Sequence, residues 1–136
     1  MGLIDFVKSA GKALGIVDID AITKEIEGHG LKGSGLDIKV NGDKVVIEGM
    51  PSKPDEREKI IAAIGNIEGI AAVEDKMDGE AKGEFYTVKS GDTLYGIANS
   101  VYGNGSKYPQ IFEANKPMLE HPDRIYPGQV LVIPKD

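Results

Sequence analysis

The sequence contains no cysteine among its 136 residues. A disulfide framework, a thiolate metal site and a thiol nucleophile are therefore excluded. Basic residues are also few, because 16 Lys and Arg stand against 22 Asp and Glu and give a formal net charge of −6. Binding to nucleic-acid phosphates depends on clustered Lys and Arg, so a nucleic-acid partner is not expected. Charge attraction to an anionic membrane is disfavoured for the same reason.

Long apolar runs are missing as well, and no stretch approaches the length of a membrane span. The first residues, MGLIDFVKSAGKALG, have no basic leader, and Asp5, Lys8 and Lys12 interrupt any apolar core. This pattern does not fit a secretory signal. We therefore expect a monomeric cytoplasmic protein that has no membrane partner.

Motifs for catalysis are scarce. His29 lies in a glycine-rich loop and His121 precedes Pro122, and the spacing identifies a partner for neither histidine. The sequence has no nucleophile elbow, no paired-histidine zinc helix and no P-loop. Carboxylates at EF-hand spacing are also lacking. We therefore predict a protein that is not an enzyme and has no catalytic residues, which leaves binding as the function class.

Hydrophobic periodicity predicts two small α+β domains. Apolar residues recur at helical spacing in an N-terminal segment, 1–15, at Leu3, Phe6, Val7, Ala10 and Leu14. They predict a short helix that packs on the first domain. The first domain, 16–78, reads as helix, strand, strand, helix, strand, an αββαβ sandwich with its helices on one face of the sheet. Its signals are Asp18 as a helix cap and Asn41-Gly42 as a hairpin turn. A polar linker, 79–84, then leads to a βααβ unit, 85–136.

One segment of the first domain, IIAAIGNIEGIAAV from Ile60 to Val73, combines a helix end with a second glycine turn. Gly65 occupies the position where helices commonly end in a left-handed residue. The last turn of a helix leaves four carbonyl oxygens without intrahelical partners. Converging carbonyls in an apolar frame suit a weakly hydrated monovalent cation, because they can replace its water shell. Taken alone, the same segment is also compatible with an ordinary helix-to-strand turn, which is the commoner structure.

Two family resemblances refine these predictions. The motifs YTVKSGDTLYGIA, IFEAN and IYPGQVLVIP, in that order from Tyr86 to Pro134, closely resemble a LysM domain. The stretch VVIEGMPSKPDEREKIIAAIGNIEGIAAVEDKM resembles a BON domain. Together the two halves resemble the cytoplasmic bacterial potassium-binding proteins that join a BON domain to a LysM domain.

The resemblance to that family implies one potassium ion held by backbone carbonyls where the N-terminal segment meets the BON domain. Carried onto this sequence, the ligands implied are the carbonyls of Val7, Ala10, Gly65, Ile67 and Ile70. A neutral carbonyl cage offsets the dehydration of a divalent ion poorly, so calcium and magnesium fit this ligand set less well.

The LysM resemblance implies a second function, the binding of glycans that contain N-acetylglucosamine, as in peptidoglycan. The groove of that family corresponds here to Gly91, Asp92, Thr93 and Leu94, and to Ile125, Tyr126 and Pro127. Each residue has an ordinary structural role as well, because Asp92 or Thr93 can cap a helix and Pro127-Gly128 can form a turn. Peptidoglycan also lies outside the compartment expected for this chain, so sugar binding is kept as the alternative.

Overall fold

A computed structural model of the chain describes residues 2–6, 18–31, 35–51, 56–78, 83–116 and 118–135. We call residues 2–78 the first domain and residues 83–135 the second domain. The first contains β1 (Gly2–Asp5), α1 (Ile19–Gly28), β2 (Leu36–Asn41), β3 (Lys44–Gly49), α2 (Glu56–Gly65) and β4 (Ala72–Met77). The second contains β5 (Gly83–Thr87), α3 (Leu94–Tyr102), a 3₁₀ turn (Gly105–Lys107), α4 (Tyr108–Ala114) and β6 (Val130–Pro134). The predicted α+β class with two small domains is confirmed.

The described part of the first domain forms a four-stranded sheet in the order β1-β4-β3-β2. Strands β2 and β3 form an antiparallel hairpin, and β3 runs parallel to β4 through the crossover helix α2. Isoleucines from α1 and α2, among them Ile22 and Ile60, pack on Val45 and Val73 of the sheet in one buried cluster. The predicted arrangement of helices over one sheet face is therefore found.

The N-terminal helix predicted from the spacing of Leu3 and Phe6 is wrong where the structure describes it. Residues 2–5 form strand β1, which pairs antiparallel with β4. Leu3 is 56% exposed, whereas Ile4 packs against the core, as expected for alternating strand residues. The edge of β4 supplies unpaired backbone groups, and pairing with them outweighs a weak local helix signal. The rest of the predicted helical segment, 7–15, lies outside the described residues.

Helix α1 and the hairpin form as the sequence predicts. The Asp18 carboxylate accepts a hydrogen bond of 2.8 Å from the Ala21 backbone N–H, which caps α1. Asn41 pairs with Lys44 across the hairpin, and Gly42 has a φ of 67°, which glycine adopts at little cost. These two local signals set where the first helix begins and in which register β2 meets β3.

A buried ion pair fixes the start of α2 against β4. The Arg57 Nε and Nη2 atoms each lie 2.9 Å from Asp75 Oδ2, and both side chains are buried. The other Asp75 oxygen accepts a 2.9 Å hydrogen bond from the Met77 N–H, and Arg57 also donates to the carbonyls of Met77 and Asp78. Most of the polar atoms of this pair have partners, and these hydrogen bonds offset the cost of removing the two charges from water while the pair holds the register of α2 against β4.

The second domain has the predicted βααβ order, with an added 3₁₀ turn. Strands β5 and β6 pair antiparallel, and Gly83 pairs with Pro134. The strand therefore begins two residues inside the predicted linker 79–84, whose first four residues lie outside the described residues. The Thr93 hydroxyl accepts a 3.0 Å hydrogen bond from the Gly96 N–H and caps α3, as predicted.

Candidate ion site and domain interface

The turn that follows α2 is held by backbone hydrogen bonds and by two of its own side chains, which are buried. The Asn66 and Ile67 N–H groups donate to the carbonyls of Ala62 and Ile64 at 3.0 and 3.1 Å. Ile67 and Ile70 are fully buried in the core of the first domain. Gly69, with a φ of 103°, allows the sharp reversal between them. The backbone of residues 65–70, which we call the ion turn, is thus held from beneath by two isoleucine side chains.

Gly65 is required at the end of α2 for a different reason from the one that its position suggests. It is not among the glycines with positive φ, so the prediction of a left-handed residue is wrong. A Cβ atom at Gly65 would instead lie 2.0 to 2.3 Å from three ring carbons of Phe6. Carbon atoms make favourable contact at roughly 3.5 to 4.0 Å, so glycine is required here by the close approach of an aromatic ring.

Phe6 brings the N-terminal segment to the ion turn. Its N–H donates a 2.8 Å hydrogen bond to the carbonyl of Ala71, directly after the turn, and its side chain is 9% exposed. The Ala71 N–H in turn donates to the Asp43 carbonyl of the hairpin at 2.8 Å. Phe6 itself therefore lies beside the ion turn. The predicted ligands Val7 and Ala10 lie outside the described residues.

The donor set of the ion turn is compatible with a monovalent cation. The Ile67 carbonyl accepts a 3.2 Å hydrogen bond from the Ile70 N–H, but a carbonyl oxygen has a second lone pair for an ion. Glu68, the one carboxylate of the turn, is exposed. Across the described ranges, no group of three or more His, Asp and Glu side chains is placed to hold a metal ion. The turn therefore offers its backbone carbonyl oxygens as ligands.

The ion turn also contacts the second domain. The Asn66 side-chain amide donates a 2.8 Å hydrogen bond to the Val130 carbonyl, and its oxygen accepts one of 2.9 Å from the Val130 N–H. Val130 is 1% exposed and belongs to the core cluster of the first domain, on which Phe85 and Met118 also pack. No docking surface was identifiable from the sequence, and the structure places the contact at the N-terminal end of β6.

A cavity of about 280 Å³ lies beside this contact, between the domains. Its lining comes from both domains and consists of Glu25, His29, Ala62, Ala63, Asn66, Met118, Tyr126 and Gln129. Burial raises the pKa of the Tyr126 hydroxyl. His29 Nε2 lies 3.3 Å from Glu25 Oε2, a partner that was not identified from the sequence. Glu25 and His29 are four residues apart on one helix face, a spacing that could have indicated the pair.

Asp92, predicted to line a glycan groove, has a structural role. Its Oδ2 atom accepts 2.8 Å hydrogen bonds from the Lys89 N–H and the Tyr86 hydroxyl. These bonds lower the pKa of the Asp92 carboxyl, the backbone bond contributing most, and the bond from Tyr86 raises the pKa of that hydroxyl. Asp92 therefore closes the loop before α3.

A small surface cavity of about 160 Å³ lies next to that loop. Its lining includes two predicted glycan residues, Thr93 and Leu94, together with Tyr95, Tyr108, Pro122 and Asp123. Tyr126 instead lines the cavity between the domains. Gly91 lies in the loop before α3, Ile125 and Pro127 lie in the loop before β6, and none of these three lines the surface cavity. Tyr95 is 59% exposed, and no pattern in the sequence singled it out.

Comparisons with known proteins agree with this architecture. Residues 86–134 match the LysM domain family. Over 150 aligned positions that cover 100% of both chains, the sequence is 45% identical to a protein of Escherichia coli O6:H1 named potassium binding protein Kbp. The chain therefore belongs to the Kbp family.

Two more distant relatives align over a smaller part of this chain and of their own length. An uncharacterized protein of Deinococcus radiodurans is 29% identical over 84% of this chain and 50% of its own length. The uncharacterized protein YqbP of Bacillus subtilis is 41% identical over 37% of this chain and 27% of its own length. Within the parts of the chain that the structure describes, no helix is both long enough and apolar enough to cross a bilayer.

Proposed function

We propose that this protein binds potassium selectively in the cytoplasm and acts as an ion sensor without catalytic activity. The ligands are the backbone carbonyls of Val7, Ala10, Gly65, Ile67 and Ile70, at the junction of the N-terminal segment and the first domain, which we take to be a BON domain. The 45% identical relative is named a potassium binding protein, which supports the choice of ion.

The observation that carries the proposal is the contact between Phe6 and Gly65. The Phe6 ring packs against the Gly65 Cα so closely that no side chain fits there. Phe6, the residue directly before the proposed ligand Val7, thus contacts Gly65, itself a proposed ligand, at one end of α2, although the two are about sixty residues apart in sequence. The negative end of the α2 dipole also lies at this point, which favours a cation.

The sensing step follows from mass action. An ion that binds only when the N-terminal segment is seated on the ion turn stabilises that arrangement in proportion to its concentration. Because Asn66 of the same turn is bonded to β6, we expect potassium to favour the docked arrangement of the two domains. The protein acts as a monomer in this proposal.

The test is calorimetry of one sample with potassium, sodium, calcium and N-acetylglucosamine oligomers. Potassium heat with none from sodium or calcium supports the proposal. Phe6→Ala should weaken potassium binding, because it removes the ring that seats the N-terminal segment. Leu3→Ala is the matched control on β1, the strand directly before Phe6, since Leu3 is 56% exposed, and it should leave the affinity unchanged. Equal affinity in Phe6→Ala and the unsubstituted protein would count against the ligand set.

Glycan binding by the second domain is the second candidate function. The cavity beside Thr93 and Leu94 exposes the rings of Tyr95 and Tyr108, and exposed aromatic faces suit the apolar faces of sugars. In the same titration, heat from the sugar oligomers that Tyr95→Ala abolishes would establish this function. Sugar heat without potassium heat would make it the main one.

A further inference from the structure

The outer edge of strand β6 is covered by side chains in place of a further strand. In an antiparallel pair, successive residues alternately face the partner strand and face away from it. The Val88 N–H donates a 2.8 Å hydrogen bond to the Gln129 carbonyl, which sets the phase of this alternation. Val130, Val132 and Pro134 therefore direct their backbone groups away from β5. Such groups are costly to bury without partners.

Each of these three residues is bonded by a side chain. Asn115 accepts from the Val132 N–H at 2.8 Å and donates to the Val132 carbonyl at 2.9 Å. The Tyr102 hydroxyl donates to the Pro134 carbonyl. Asn66 makes the same pair of bonds to Val130 that Asn115 makes to Val132. Asn115 and Tyr102 belong to the second domain, so Asn66 is the one member of this set that comes from the first domain.

Asn66 stands between Gly65 and Ile67, two of the proposed ion ligands. We propose that Asn66 is a positioning residue of the ion site, through which strand β6 of the second domain sets the affinity for potassium. This inference rests on the proposed function. Asn66 does not contact the ion in this proposal; its side chain fixes the backbone on which the neighbouring carbonyls lie.

The coupling has a simple physical basis. The two bonds from Asn66 to Val130 restrict the ion turn to the conformation that it has in the docked protein. If the ion requires that conformation, the ion turn of the docked protein has less conformational entropy to lose when the ion binds. The bound ion in turn strengthens docking by the same factor. The apolar contacts of Val130, Phe85 and Met118 with the first domain remain when Asn66 is replaced. Loss of the asparagine should therefore loosen the turn without separating the domains completely.

The experiment compares Asn66→Ala with Asn115→Ala in the full chain. Potassium affinity is measured by calorimetry, and amide hydrogen exchange at Val130 and Val132 is measured with and without potassium. We expect Asn66→Ala to bind potassium about tenfold more weakly, which corresponds to about 1.4 kcal/mol. Its Val130 amide should exchange faster and lose the protection that potassium adds in the unsubstituted protein.

Asn115→Ala is the matched control, because it removes the equivalent pair of bonds to Val132 within the second domain. It should deprotect the Val132 amide while leaving the potassium affinity unchanged. Asn66→Gln keeps the amide but displaces it by one methylene, and it should reproduce the weaker binding if Asn66→Ala folds poorly.

Two results would overturn the inference and can be told apart. If the unsubstituted protein binds potassium and both Asn66 variants bind it equally well while Val130 is deprotected, the positioning role is wrong and the proposed function stands. If the unsubstituted protein shows no potassium heat, the proposed function fails and the inference fails with it.

Discussion

The contact between Phe6 and Gly65 gives the sharpest prediction for the first domain. Gly65→Ala introduces one methyl group at the end of α2, where it would lie 2.0 Å from Phe6 Cζ. The ring has to move by about 1.5 Å to restore an ordinary carbon–carbon distance. Overpacking of this kind costs about 1 to 3 kcal/mol. Alanine regains at most about 1 kcal/mol through its better helix propensity.

We therefore expect Gly65→Ala to lower the free energy of unfolding by up to about 2 kcal/mol, the overpacking cost less the full gain in helix propensity. Urea unfolding measures the stability, and calorimetry on the same variant measures potassium affinity. The affinity should fall as well, because the displaced ring no longer seats the N-terminal segment on the ion turn.

Gly28→Ala is the matched control at the end of α1. A Cβ atom at Gly28 would meet nothing within 4 Å, and this glycine also lacks a positive φ. The substitution should be neutral or stabilise the protein by up to about 1 kcal/mol. In the double variant Phe6→Ala, Gly65→Ala, the added methyl group enters the space that the ring leaves. The cost of the double variant should therefore be smaller than the sum of the single costs. A Gly65→Ala protein as stable as the Gly28→Ala protein, with full potassium affinity, would refute the packing argument.

Three further predictions concern residues away from the ion turn. In urea unfolding, Asp75→Asn should lower the free energy of unfolding by about 3 to 5 kcal/mol, because it leaves the buried Arg57 charge without its counter-ion. Lys39→Ala removes only exposed ion pairs and should change that free energy by less than about 1 kcal/mol. The folded pKa of Asp92 is lowered, so its stabilising contribution is complete above the ordinary aspartate value of about 3.9 and is lost as the pH falls through the folded value. Asp92→Asn should therefore flatten the acid side of the pH–stability curve of the second domain, and an unchanged curve would contradict this assignment. Asn115→Ala should lower the thermal midpoint of the second domain, since three hydrogen bonds of its buried amide are lost, whereas Asn104→Ala, at an exposed cap, should lower it less.

Local patterns in the sequence were sufficient for most of the secondary structure. The cap at Asp18, the Asn41-Gly42 turn and the cap at Thr93 each depend on a few neighbouring residues, and each forms as predicted. The α+β class and the division into two domains follow from the same periodicities. The glycine at position 65 was also marked as important, although its local context suggested a left-handed residue.

The tertiary structure decided what the local patterns could not. Residues 2–5 form a strand because β4 has an edge to pair with, and neither fact is visible in the spacing of Leu3 and Phe6. The Phe6 ring explains Gly65, and the Val130 edge explains Asn66, in both cases through contacts between residues about sixty positions apart. The sequence by itself determined where α1, the β2–β3 hairpin and α3 begin, because those signals act over a few residues. The hydrogen bonds between the two domains, which hold the ion turn in place, join residues that are distant in sequence. They depend on long-range packing, which only the folded chain contains.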